Sequence, residues 1–154
     1  MEEFISFLED PIFRAACFSW LLSQFLKSVI EIFKKKPHSA KELLISLFWA
    51  TGGMPSSHSA VVSSICTSVG FRMGVTSPVF MVTLFYAFIT IRDALGVRRA
   101  AGAQAKVINQ LIDSLDGKID SAIKPVKEIH GHRGPEVLVG IVLGFFLAVA
   151  FNSL

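Results

Sequence analysis

The sequence is short of the residues that most often announce a site. Its 154 residues include two cysteines, one tyrosine and two tryptophans. Cys17 and Cys66 each lie inside an apolar segment, with no CxxC pair and no histidine at ligand spacing. They read as buried, inert thiols rather than as a disulfide or a metal site. DxD, HExxH and Cys/His clusters are also missing, so neither a metal nor a cofactor is expected. Charged residues make up only 18% of the chain and the net charge is +3. No basic stripe with interleaved aromatics lies outside the apolar segments, which argues against nucleic acid as a partner. The chain starts Met1-Glu2-Glu3 and carries Glu9 and Asp10 before its first apolar run. A cleaved signal peptide needs a basic leading region, so none is expected.

What is abundant is apolar surface. Hydrophobic residues make up 52%, phenylalanine alone contributes 14, and the mean hydropathy is +0.57. That is too apolar for an ordinary soluble domain, and several segments approach the roughly 20 residues needed to cross a bilayer. The expectation is an all-α integral membrane bundle, a single domain over residues 1–154. It should have about four transmembrane helices, a re-entrant half-helix and an amphipathic interfacial helix, with membrane lipids as its surroundings. Self-association into a homo-oligomer is left open.

Taken in order, the first span covers Pro11 to Phe33, with Gln24 and Lys27 on one helical face. Lys27 either snorkels to the headgroups or faces the bundle interior as a cation awaiting an anion. Lys34-Lys35-Lys36-Pro37 ends the span, and the positive-inside rule places residues 34–42 in the cytoplasm. Leu43 to Ala50 is too short to cross and reads as the half-helix, broken at Thr51-Gly52-Gly53. A second span runs from Ser57 to Met73, rich in small residues that let helices approach closely.

The third span runs from Val79 to about Val97. Arg92 and Arg99, seven residues apart, are expected on one face. Arg98 and Arg99 also fit a basic flank, and Arg92 a pair with Asp93 or another carboxylate. Ala100 to Leu115 has an amphipathic pattern, with Val107, Ile108, Leu111 and Ile112 on one side. Asp113 to Glu128 is a solvated connection, and the last span follows His130-Gly131-His132-Arg133-Gly134-Pro135-Glu136.

The stretch that organises these pieces is Gly52-Gly53-Met54-Pro55-Ser56-Ser57-His58-Ser59. A small-residue turn at a helix start exposes backbone N–H groups at the positive end of the dipole, which is a ready anion site. The plainer reading is a helix break followed by a serine cap. With that span count, the His58 turn, the Arg92–Arg99 helix end and the His132 loop fall on one side of the membrane, with Lys27 nearby. Two histidines, several cations and a serine-rich turn suit phosphoryl transfer, in which fixed donors stabilise charge on the equatorial oxygens. One imidazole attacks phosphorus and a carboxylate sets its tautomer. Glu136 is four residues past His132, within reach on a helical turn. His58 protonates the leaving alkoxide.

Pro55-Ser56-Ser57-His58 resembles the P-S-G-H motif of the type 2 phosphatidic acid phosphatases, the superfamily shared with vanadium-dependent haloperoxidases. His132-Arg133-Gly134-Pro135-Glu136 is similar to the end of that superfamily's third motif. With Arg92-Asp93-Ala94-x-Gly96-Val97-Arg98-Arg99, the chain resembles its divergent branch over nearly the whole length. The resemblance implies that His132 is the nucleophile, Glu136 its orienting carboxylate, His58 the general acid and Ser56 a phosphate ligand. Ser57 stands where the family has Gly, and Glu136 where it has Asp. The third-motif Arg falls on Val126, and the first motif's spacing recurs only in Arg92-x6-Arg99, after the turn. Lys27, Arg92 and Arg99, with Ser56 and Ser57, are therefore expected to rebuild the phosphate clamp.

The expected activity is metal-independent hydrolysis of a lipid phosphomonoester or diphosphate through a phosphohistidine, on the cytoplasmic side. The alternative is a non-catalytic lipid-phosphate-binding or transport-assisting membrane protein that keeps the pocket.

Overall fold

The computed structural model describes residues 1–34, 53–115, 125–126 and 133–153. All regular structure among them is helical. The helices are α1 (Glu2–Glu9), α2 (Pro11–Lys34), α3 (Ser57–Met73), α4 (Pro78–Leu95), α5 (Val97–Ser114) and α6 (Gly134–Ser153). The half-helix expected over residues 43–50 lies outside the described residues.

Local chemistry accounts for the boundaries. The Asp10 carboxylate accepts from the backbone N–H of Ile12 at 2.7 Å and of Phe13 at 3.3 Å, which caps α2 directly after α1. α1 is an addition to the sequence reading, which treated these residues as an acidic flank. Phe4, Ile5, Phe7 and Leu8 recur at helical spacing among the glutamates, and the Phe7 ring packs on Phe13 with centroids 4.3 Å apart. α3 ends at Gly74 with φ +83°, and Ser77 caps α4 by accepting from Phe80 N–H at 3.2 Å.

α4 was expected to run on through Arg99. It stops at Leu95, and Gly96 separates it from α5. Arg92 and Arg99 therefore sit on different helices. α5 matches the amphipathic segment: Val97, Val107, Ile108 and Leu111 are exposed, and among the other helices it contacts α4.

α3 is the central helix. It packs most extensively on α6, then on α2 and α4, while α2 also touches α6. The α3–α6 contact is set by glycine. A Cβ on Gly140 would collide with the carbonyl oxygen of Ser56, and one on Gly144 with that of Ala60. These two glycines, four residues apart, let the helix backbones approach as small-residue pairs do in bilayers. Ser63 Oγ then reaches across to donate to Ile141 O at 2.9 Å, and Asn152 Nδ2 donates to Ser68 Oγ at 2.9 Å.

The polarity of the bundle is inverted relative to a water-soluble one. Ser19, Ser23, Ser56, Ser59, Ser64 and Ser68 are fully buried, together with Ala15, Ala60 and Ala148. Phe71, Val82, Phe85, Phe88, Ile89, Leu138 and Phe146 are all exposed. Exposed rings around a hydroxyl-lined interior suit a hydrocarbon surrounding, where helices associate through small and hydrogen-bonding residues. Two helical stretches among the described residues are long and apolar enough to cross a membrane, Pro78–Ser114 and Gly134–Ser153.

Gly144→Ala should destabilise the bundle by about 1–3 kcal/mol, the usual cost of forcing atoms into a filled contact. Gly134→Ala, where an added Cβ meets nothing within 4 Å, should be close to neutral. Thermal unfolding of both variants in the same detergent measures the contrast.

Candidate functional site

The serine turn begins at Gly53, whose φ of +78° is a left-handed conformation that glycine adopts without strain. The chain then passes Met54 and Pro55 and enters α3. Ser56 is the helix cap. Its Oγ accepts from Ser59 N–H at 3.4 Å and from Ser59 Oγ at 3.0 Å. Ser56, Ser57 and Ser59 are all buried. The serine cap read from the sequence is Ser56, and the same buried serines gather their hydroxyls at the start of α3.

Lys27 is 4% exposed, and its Nζ donates to Ser57 Oγ at 3.2 Å. Of the two readings of this lysine, the inward-facing one describes the structure. An ammonium buried in a bundle is costly unless hydrogen-bonded. Here it reaches from α2 to the first turn of α3, a helix end that itself favours negative charge.

The second strand of the site arrives with α6. Ser56 N–H donates to Glu136 O at 2.9 Å, which ties the turn to the start of a helix eighty residues later in the chain. The positive ends of α3 and α6 therefore meet. The Glu136 carboxylate reaches back to accept from Arg133 N–H at 3.1 Å. This is the reciprocal half of a capping box and holds the first turn of α6. The sequence argument did not foresee this contact. The signal for it is the glutamate at the third helical position, after Gly134 and Pro135.

His58 sits in the same first turn of α3, next to Ser57, and is exposed. His132 lies outside the described residues. It directly precedes Arg133, the cap residue of α6. Arg92 occupies the last turn of α4 and is exposed. From Pro78 to Arg92 is fourteen residues and from Ser57 to Met73 sixteen, roughly 21 and 24 Å of antiparallel helix. Arg92 thus returns to about the level of the serine turn without entering the buried cluster. Arg99, exposed on α5, is one helix further on. Neither arginine forms an ion pair among the described residues.

Val126, where the resembled family carries an arginine, is pinned to α5. Its N–H donates to Asn109 Oδ1 at 2.8 Å, and its carbonyl accepts from Asn109 Nδ2 at 2.9 Å. Among the described residues no group of three or more His, Cys, Asp or Glu could hold a metal. An apolar groove of about 580 Å³ lies between α1, α2 and the middle of α3, lined by Phe7, Ile12, Phe13, Ala16 and Ile65 with Glu3 and Asp10 at its edge. It contains none of the predicted site residues.

A profile described as the Divergent PAP2 family matches residues 8–147. The chain is also 40% identical, over 121 residues, to the uncharacterized membrane protein YuiD of Bacillus subtilis (strain 168). That alignment covers 71% of this chain and 77% of the relative. No solved structure matches.

Ser56→Ala should cost about 1 kcal/mol of stability, the usual penalty for removing a serine cap. Glu136→Gln, which keeps an acceptor for Arg133 N–H, should cost less than Glu136→Ala. Both comparisons are read from thermal melts of the purified protein.

Proposed function

This chain belongs to the divergent PAP2 family, and on that premise we propose that it is a metal-independent lipid phosphate phosphatase. In this reading it is an integral membrane protein with four spans, α2, α3, α4 and α6. Residues 43–50 form a re-entrant half-helix, α5 lies at the interface, and the site opens to the cytoplasmic leaflet. The substrate is a phosphomonoester or diphosphate on a lipid that enters sideways from the bilayer.

The observation that carries the proposal is the buried Lys27 ammonium at 3.2 Å from Ser57 Oγ, in a turn hydrogen-bonded to the start of α6. Two helix N-termini that meet beside an ammonium favour an anion. A phosphate there has Lys27, the serine hydroxyls and the backbone N–H groups of the turn as donors. His132, two residues before the first residue of α6, attacks phosphorus through a ring nitrogen, and the bond from phosphorus to the lipid oxygen breaks. His58 gives its proton to that oxygen. Water then attacks the phosphohistidine, His58 takes the water's proton, and phosphate leaves with His132 restored. Glu136 orients His132, while Arg92 and Arg99 attract the headgroup from the membrane surface.

A non-catalytic lipid-phosphate binder is the second reading. Two observations favour it: Glu136 serves as a helix cap, and Val126 stands where the family's arginine would be.

Purified protein in detergent should release phosphate from at least one lipid phosphate without added metal. His132→Ala should abolish release while leaving the melting temperature in place, and an acid-labile phosphoryl adduct should form on the unsubstituted protein and not on this variant. Unchanged turnover in His132→Ala rejects the mechanism. Vanadate binding that survives this substitution, with no turnover or adduct in either protein, selects the binder. Lys27→Met should weaken vanadate affinity at least tenfold under both readings, the scale of one lost charge-assisted hydrogen bond.

A further inference from the structure

At the end of the bundle away from the serine turn, α2, α3 and α6 bury two polar atoms that have no hydrogen-bond partner among the described residues, Ser19 Oγ and Asn152 Oδ1. Ser19 is fully buried. The orientation of the Asn152 amide is fixed. Its Nδ2 donates to Ala148 O at 2.8 Å and to Ser68 Oγ at 2.9 Å, and a backbone carbonyl accepts only from the nitrogen side. Its Oδ1 therefore faces the interior as a pure acceptor.

Contacts among α2, α3 and α6 bring the two residues to the same end of the bundle. Ser19 shares a face of α2 with Ser23 and Lys27, at intervals of four residues, and Lys27 on that face meets Ser57 on α3. Phe18, beside Ser19, packs on Phe151, beside Asn152, with ring centroids 4.9 Å apart. α2 and α6 run in opposite directions, and each side chain leans toward the N-terminus of its own helix. The Ser19 hydroxyl and the Asn152 carbonyl are both buried in the interior at this end, with Asn152 held against Ser68 of α3.

We propose that the interior between α2, α3 and α6 holds an internal water site, in which a bound water bridges Ser19 Oγ and Asn152 Oδ1. The ligand class follows from the donor set. Asn152 Oδ1 accepts only, the serine hydroxyl both donates and accepts, and water satisfies the two together. An unpaired buried polar group costs more than the same group bridged by water. The nearest side chains are neutral, with no carboxylate among the described ones there, so a bare cation would lie in the interior without a countercharge. The site is independent of the phosphatase reading: it lies roughly 12 Å along α2 from Lys27 and uses none of the residues assigned to that chemistry.

The test is a double-mutant cycle on the whole protein in detergent, using Ser19→Ala, Asn152→Leu and the pair, read as melting temperature in sodium and in choline buffers. With a bridging water, Ser19→Ala lowers the melting temperature by about 2–4 °C, the shift expected for one lost interaction in a protein of this size. Asn152→Leu then costs less in the Ser19→Ala background than alone, and the cation has no effect. A Ser19→Ala variant as stable as the unsubstituted protein, or more so, overturns the proposal, because removing an unsatisfied hydroxyl is neutral or favourable. Additive single effects overturn it as well. A stabilisation by sodium that Ser19→Ala removes overturns it in favour of a cation site.

Discussion

The contact on which everything else depends is the approach of α6 to α3 at Gly140 and Gly144. At these two positions the helix backbones come so near that a methyl group would strike a carbonyl. Nothing in a hydrocarbon solvent pushes apolar helices together, so association has to come from packing and from hydrogen bonds between them. The glycines permit both. They allow Ser63 and Asn152 to bond across the interface, and they fix the height of α6 so that Glu136 O receives the N–H of Ser56. The turn that opens α3 and the cap that opens α6 are held in register by the same close approach. The candidate site thus depends on how two helices pack at the turn itself and over the next turn of each.

Electrostatics then shapes what that register brings together. Two helix starts meet at one region, and Lys27 comes from a third helix to join them. The ammonium and the two helix starts are positive, and the Glu136 carboxylate in the first turn of α6 offsets them in part. The arginines are arranged differently. Arg92 and Arg99 remain exposed on separate helices, divided at Gly96, where they meet the surroundings rather than the buried cluster.

Much of this was legible in the sequence, because hydrophobic runs and their punctuation follow directly from bilayer thickness and helix geometry. The bounds of α2, α3 and α6 fall within a residue or so of the apolar segments that predicted them. The serine turn was legible as both a cap and a donor cluster. Two features were harder to read. α1 was overlooked because its glutamates dominate a short segment in which four apolar residues set the fold. The continuation of α4 into Arg99 was expected because nothing from Ile91 to Arg99 carries a proline or a polar cap, and a lone glycine is a weak signal in a helical pattern. The backbone bond between Ser56 and Glu136 was out of reach of pattern reasoning, since main-chain partners eighty positions apart leave no mark on side-chain identity.

The inverted polarity of the bundle has an evolutionary consequence. Much of its interior is lined by serines, which differ from alanine by one oxygen atom, while many of its rings lie on the outside. Exchanges between serine and alanine would alter the chemistry of the interior at almost constant volume, leaving the spacing of the helices as it is. A scaffold of this kind can drift from one polar ligand to another, or from turnover to simple retention, in steps that leave its architecture in place.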